Sequence, residues 1–232
     1  MLELKTIDQH YGSSHTLRDL SLTASVGEVT TILGRNGVGK TTLLRAVMGL
    51  VPLTRGSVLW EGKDISRLSP EARVAAGFGY VPQGREIFPR LTVEENIRMG
   101  MAHLSGRSAR NIPTELYETF PVLKEMRNRR GGDLSGGQQQ QLAIARALAG
   151  KPRILLLDEP TEGIQPNIIK LIGSVIASLA ARGDLAVVLV EQYYDFAESL
   201  ASRYAVLSRG EVVDSGIGSE MAAKNVKSLI SV

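Results

Sequence analysis

The chain has 232 residues, 43% hydrophobic and 22% charged, with 27 basic against 24 acidic side chains and a formal charge of +3. That length supports a sizeable core in one or two domains, and so balanced a charge does not by itself suggest a nucleic-acid binder. The absence of cysteine excludes disulfides and thiolate metal sites and suits a reducing cytosol.

The start, MLELKTIDQHYG, lacks an apolar signal-peptide core. Apolar runs such as Leu185 to Val190 fall far short of the roughly 20 residues a spanning helix needs, so any membrane role is expected to be peripheral. Over the first 30 or so residues apolar and polar positions alternate, a period of two that predicts strands, the last being Val29 to Leu33. After GRNGVGK, the stretch Thr41 to Leu50 carries Leu43, Leu44, Val47 and Leu50 at helical spacing. A hairpin is expected at SVLWEGKDI and a short strand at GFGYVPQ.

From about Glu86 to Ala149 the character turns to helices and loops. This part holds TVEENIRMGM, a Gly/Ser/Arg break near Ser105 to Arg110, and the helix GQQQQLAIARALAG. Strand signals return at RILLLD, LAVVLVE and RYAVLSRGEVV, with helices between them. Helix PNIIKLIGSVIASLAAR places Pro166 in its first turn and stops before Gly183. The pattern predicts an α/β sheet core interrupted by a mainly helical insertion, with neither a linker nor an internal repeat.

The segment Gly34 to Thr41, GRNGVGKT, fits G-x-x-x-x-G-K-[ST] and lies between a predicted strand and a predicted helix. Glycines let several backbone N–H groups point at phosphate oxygens, and the following helix adds its N-terminal dipole. Lys40 is expected on the β- and γ-phosphates and the Thr41 hydroxyl on Mg²⁺. The run Ile154 to Leu157 reads as a strand buried on both faces, and it ends in Asp158 and Glu159. Adjacent carboxylates there are costly unless something cationic or reactive sits beside them. Next to a phosphate loop, Asp158 is expected on the metal side and Glu159 against the attacking water.

A third piece, LSGGQ at Leu134 to Gln138, puts a serine and two glycines ahead of a helix, again a phosphate-binding end. One nucleotide does not need two such loops from one subunit. These residues resemble the signature of ATP-binding cassette (ABC) ATPases, and the resemblance covers nearly the whole chain. It implies a single domain: a P-loop NTPase (RecA-like) α/β core with an N-terminal antiparallel β subdomain (1–85 and 150–232), and an inserted helical subdomain at about 86–149. It implies ATP and Mg²⁺ as ligands. Gly34, Arg35, Asn36, Gly37, Val38, Gly39, Lys40, Thr41 and Thr42 would hold one nucleotide. Ser135, Gly136, Gly137 and Gln138 would complete the site of a second subunit across a head-to-tail dimer.

By the same resemblance Tyr11 stacks on adenine, Gln83 touches Mg²⁺ or the attacking water, and GREIFPRLTVEEN faces the membrane subunits. Two positions depart from the general family: Gln165 stands where an aspartate is usual, and Gln192 where a switch histidine is usual. An amide still donates to a γ-phosphate but cannot become a cation. LVEQ is similar to the second ATPase subunit of branched-chain amino-acid-type importers, and the motifs together are most similar to the urea-importer branch. The implied protein is a peripheral ATPase on the cytoplasmic face of the inner membrane. Its partners would be permease subunits, a second ATPase chain (a relative or another copy) and, indirectly, a periplasmic solute-binding protein. The alternative solute is a branched-chain amino acid or other small amide. ABC ATPases acting on nucleic acid usually carry a long coiled-coil insertion or two cassettes, and the chain shows neither.

Overall fold

A computed structural model describes residues 1–106 and 111–231; part of the expected Gly/Ser/Arg break therefore lies outside the described residues. The N-terminal strands β1 (Leu2–Tyr11) and β2 (Ser14–Ala24) pair with β4 (Arg55–Trp60) and β5 (Lys63–Asp64) in an antiparallel sheet ordered β2-β1-β4-β5. The period of two in β1 breaks at Thr6, which takes φ 47° while the register shifts between Lys5 and Asp8. The expected hairpin at SVLWEGKDI closes on Glu61 and Gly62, both at positive φ (53° and 78°), the signature of a two-residue turn that matches strand twist.

The second sheet has six strands ordered β10-β9-β3-β8-β7-β6: β3 (Val29–Leu33), β6 (Phe78–Val81), β7 (Ile154–Asp158), β8 (Ala186–Glu191), β9 (Arg203–Ser208) and β10 (Glu211–Ile217). The five strands from β9 to β6 run parallel, and only β10 is antiparallel, to β9. Along β7, Leu155 and Leu157 join one apolar cluster with the helices, whereas Ile154 and Leu156 join another with the antiparallel sheet. A strand buried on both faces needs this continuous apolar run. RYAVLSRGEVV is thus two strands, not one: Arg209 and Gly210 at φ 48° and 85° turn β9 back into β10.

Helix α1 (Lys40–Val47) follows β3, and α2 (Pro70–Ala75) precedes β6. Sequence periodicity overextends α1. The chain leaves the helix at Gly49 (φ 72°), the Leu50 N–H reaches back to Arg45 O at 2.8 Å, and Leu50 ends half-exposed. Between β6 and β7 the elements are helical: α3 (Val93–Met99), α4 (Thr114–Thr119), α5 (Pro121–Glu125) and α6 (Gly136–Ala149). Thr92 and Glu95 form a reciprocal capping box at the start of α3. Then α7 (Pro166–Ala181) links β7 to β8, α8 (Tyr194–Leu200) links β8 to β9, and α9 (Val226–Ser231) closes the chain.

One buried cation holds the phosphate-loop helix from behind. Arg73, 1% exposed, donates to Ala46 O (2.8 Å) and Val47 O (2.6 Å) at the end of α1, and to Ser66 O and Leu68 O. Ala46 O also accepts the Gly49 N–H at 3.0 Å, and the cation adds a charged donor at the negative end of the helix. Arg73→Met is expected to lose about 3 kcal/mol or more, a fall in Tm on the order of 10 °C; a melting curve superimposable on wild type would contradict this capping role.

A candidate nucleotide site at the ends of the parallel strands

Strand β3 buries all five of its residues and delivers the chain to Gly34. A Cβ on Gly34 would stand 2.5 Å from Leu207 O, so only glycine lets the loop leave the sheet there. Gly39, at φ 108°, opens α1 with no side-chain cap and no acid in the first turn. The N–H groups of that turn have no intrahelical partner, which is the arrangement an anion needs. Lys40 is 4% exposed; its Nζ donates to Gly34 O at 2.8 Å and Arg35 O at 2.9 Å. Those bonds fold the loop around its own cation.

Two strands away, β7 presents its carboxylates to this loop. Lys40 Nζ lies 3.0 Å from Glu159 Oε1, and the Thr41 hydroxyl donates to Asp158 Oδ1 at 3.2 Å. Tyr80 of β6 donates its hydroxyl to Asp158 Oδ2 at 3.4 Å. Burial raises the proton affinity of Asp158, opposed by the Thr41 hydrogen bond and reinforced by the Glu159 charge beside it. Glu159 takes a left-handed φ of 45°, with its N–H on Val190 O at 2.9 Å. This backbone, unusual for a residue with a Cβ, accompanies a carboxylate turned to Lys40.

Sequence reasoning did not single out Glu191, at the end of β8 and between the two loops. It is 2% exposed. Its Oε1 accepts from the Thr161 N–H (3.2 Å) and hydroxyl (2.8 Å), and its Oε2 accepts from the N–H groups of Gln192 (3.1 Å) and Tyr193 (3.2 Å). Burial raises its proton affinity too, against those four bonds. The available signal was an acid closing an otherwise apolar strand, AVVLVE, as Asp158 closes ILLLD.

The other expected residues are distributed around this centre. Gln83 lines a cavity with Thr41, Arg45, Tyr80 and Glu86, and its Nε2 donates to Glu162 Oε2 at 3.1 Å. The Gln192 side chain is exposed, as are Arg35, Asn36 and Gly37. Arg35 donates its Nε to Ile230 O at 3.3 Å in α9. Val38 and Thr42 are half-buried, and Tyr11, at the end of β1, is 46% exposed. Ser135 to Gln138 stand apart from the phosphate loop. They line a separate cavity of about 540 Å³ with Gly163, Ile164 and Gln165. Ser135 Oγ accepts the Gln138 N–H (3.4 Å) while Gln138 Oε1 accepts the Ser135 N–H (2.9 Å), so α6 caps itself. Gln165 is the N-cap residue of α7, yet its side chain makes no capping bond.

A glycine-rich loop between a buried parallel strand and an uncapped helix, facing two carboxylates, defines a P-loop nucleoside triphosphatase. The chain belongs to the ABC transporter family, whose model matches residues 17–162. It is 40% identical to the high-affinity branched-chain amino acid transport ATP-binding protein BraG of Pseudomonas aeruginosa, over 92% of this chain and 91% of that one. It is 33% identical to the probable branched-chain amino acid transport ATP-binding protein LivF of Archaeoglobus fulgidus, over 95% and 94%. Among solved structures it resembles a dimeric ATP-binding cassette in a post-hydrolysis state bound to ADP and Pi, with TM-score 0.83 and 28% identity over 94% of this chain and 98% of that one. The protein is an ATP-binding ATPase of this family, and no helix among the described residues is long and apolar enough to cross a membrane.

Proposed function

We propose that the chain is the ATP-hydrolysing subunit of a solute importer, seated on the cytoplasmic face of the membrane against its permease. The observation that carries the ATPase chemistry is the meeting of Lys40 with Glu159 and of Thr41 with Asp158. Lys40 and the open end of α1 bind the β- and γ-phosphates, with the loop from Gly34 to Thr42 wrapped around them. Glu159 accepts a proton from water as its oxygen attacks the γ-phosphorus and the bond to the ADP oxygen breaks.

Mg²⁺ fits the donor set. Thr41 and Asp158 offer hard oxygens, and the buried Asp158 carboxylate carries a charge that burial and Glu159 both disfavour. Among the described residues no group of three or more His, Cys, Asp or Glu forms a dedicated cage, which suits an ion held partly by phosphates and water. Bound there, Mg²⁺ supplies charge neutralisation on the transferring phosphoryl group.

The helices from α3 to α6 act as the unit carrying the signature loop, and Ser135 to Gln138 complete the site of a second ATPase subunit. Tyr11 stacks on the adenine. The permease docks in a groove of about 700 Å³ whose lining includes Leu50, Phe78, Glu86, Phe88, Met99 and His103. Leu50, Phe88 and Met99 are each 42–50% exposed there, and large apolar residues left in one groove mark a binding surface. This overlaps the segment GREIFPRLTVEEN, which the family resemblance implies faces the membrane subunits.

The solute is best read as a branched-chain amino acid. Two relatives named for that transport align over more than nine-tenths of the chain, whereas urea rests on resemblance of short motifs alone. Disrupting the gene and measuring uptake of labelled leucine and labelled urea tests this; loss of urea uptake with leucine uptake intact would reverse the assignment. Gln192 contacts the γ-phosphate as a neutral donor. Gln192→Ala is therefore expected to slow hydrolysis about tenfold or more with a smaller effect on ATP affinity, and an unaltered rate would remove that contact.

A further inference from the structure

We infer that Glu191 is a positioning residue, a two-sided clip that holds the turn after Glu159 and the segment bearing Gln192 in one fixed relation. Strands β7 and β8 are parallel neighbours with Asp158 opposite Val190, so the two loops leave the sheet side by side. The ladder holds the chain as far as the Glu159 N–H, which donates to Val190 O at 2.9 Å; beyond that bond the two loops diverge. Glu191 ties them with its two oxygens, each assigned to one loop. Oε1 takes both donors of Thr161, two residues after Glu159; Oε2 takes the Gln192 and Tyr193 N–H groups.

The chemistry of the clip requires a carboxylate. Three of its four partners are backbone N–H groups, which only donate, and a carboxylate is an acceptor at both oxygens. Glutamine accepts at one end only, and its NH₂ must then face at least one N–H donor. One loop or the other is released, whichever way the amide turns. Either loop carries a group assigned to the reaction, because Glu159 precedes Thr161 and Gln192 follows Glu191. Misplacement by about 1 Å costs on the order of 100-fold in rate when reacting groups must be aligned. Phosphate binding rests mainly on Lys40 and the backbone of the Gly34–Thr41 loop, with Gln192 a lesser contact, so ATP affinity is expected to change far less than rate.

This inference rests on the roles proposed above for Glu159 and Gln192. The test is a kcat against affinity comparison on Glu191→Gln, with kcat expressed per ATP-binding site so that any unfolded fraction drops out. Expected is a loss in kcat of roughly tenfold or more, with the Kd for ATP within about twofold of wild type. Thr161→Val, which removes one donor, is expected to slow turnover a few-fold, and Thr161→Ser, which keeps both, to match wild type. The double variant Glu191→Gln/Thr161→Val should be no slower than Glu191→Gln alone, because both break the same clip.

Wild-type kcat per site in Glu191→Gln, a parallel loss of affinity, or multiplicative effects in the double variant would each overturn the clip. Glu159→Gln run alongside separates the two levels. If Glu159→Gln turns over normally, the proposed base is wrong; if it is inactive while Glu191→Gln is wild type, only the clip fails.

Discussion

ATP turnover by the Glu159→Gln chain is expected to fall by on the order of a thousandfold, while ATP binding is retained or tightened. The loss follows from removing the proton acceptor: an amide has the same shape but takes no proton from water. The gain in binding follows from the ion pair. Glu159 Oε1 lies 3.0 Å from Lys40 Nζ, with both side chains largely buried, so the carboxylate competes with phosphate for the same cation. Glutamine removes that competitor. A chain that binds ATP without cleaving it should accumulate as a dimer, the state in which a structurally similar cassette was solved with ADP and Pi. Light scattering with ATP and a phosphate-release assay read both effects, and turnover close to wild type would take Glu159 out of the base role.

Lys40→Ala carries the second large effect, a loss of ATP affinity of roughly 10- to 100-fold. Lys40 also has a structural duty, since its Nζ ties Gly34 O and Arg35 O together and neutralises Glu159. Removing it leaves two adjacent carboxylates in a buried setting without the cation that Glu159 contacts, which is destabilising. The double variant Lys40→Ala/Glu159→Gln separates these contributions. It is expected to recover part of the lost thermal stability and none of the lost affinity. Unchanged ATP affinity in Lys40→Ala, measured by isothermal titration, would contradict the phosphate-loop assignment.

The sequence was most legible where chemistry is local. GRNGVGKT declares itself because a strand, a run of glycines and a helix are contiguous, and the structure places β3, the loop and α1 in that order. ILLLD was legible for a related reason: a strand buried on both faces has no polar alternation to disguise it. Periodicity failed at the edges of elements. It carried α1 through Leu50 although Gly49 ends the helix, and it ran RYAVLSRGEVV together although Arg209 and Gly210 turn it. In both places a single left-handed residue or pair outweighed a hydrophobic pattern that continued past it.

By itself, then, the sequence determined the class of protein and nominated the residues proposed to meet phosphate, since these depend on residue type and spacing along the chain. Only the tertiary structure decided who faces whom. It brought Lys40 to Glu159 across β8, turned the Gln83 amide to Glu162, set Ser135 to Gln138 beside Gln165 in a separate cavity, and put Arg73 behind α1. It also set Glu191 between the loops after β7 and β8. Apart from the Gln192 amide next to Glu191, these pairings join residues 26 or more positions apart, and the order of elements in space, which no local pattern records, places them together.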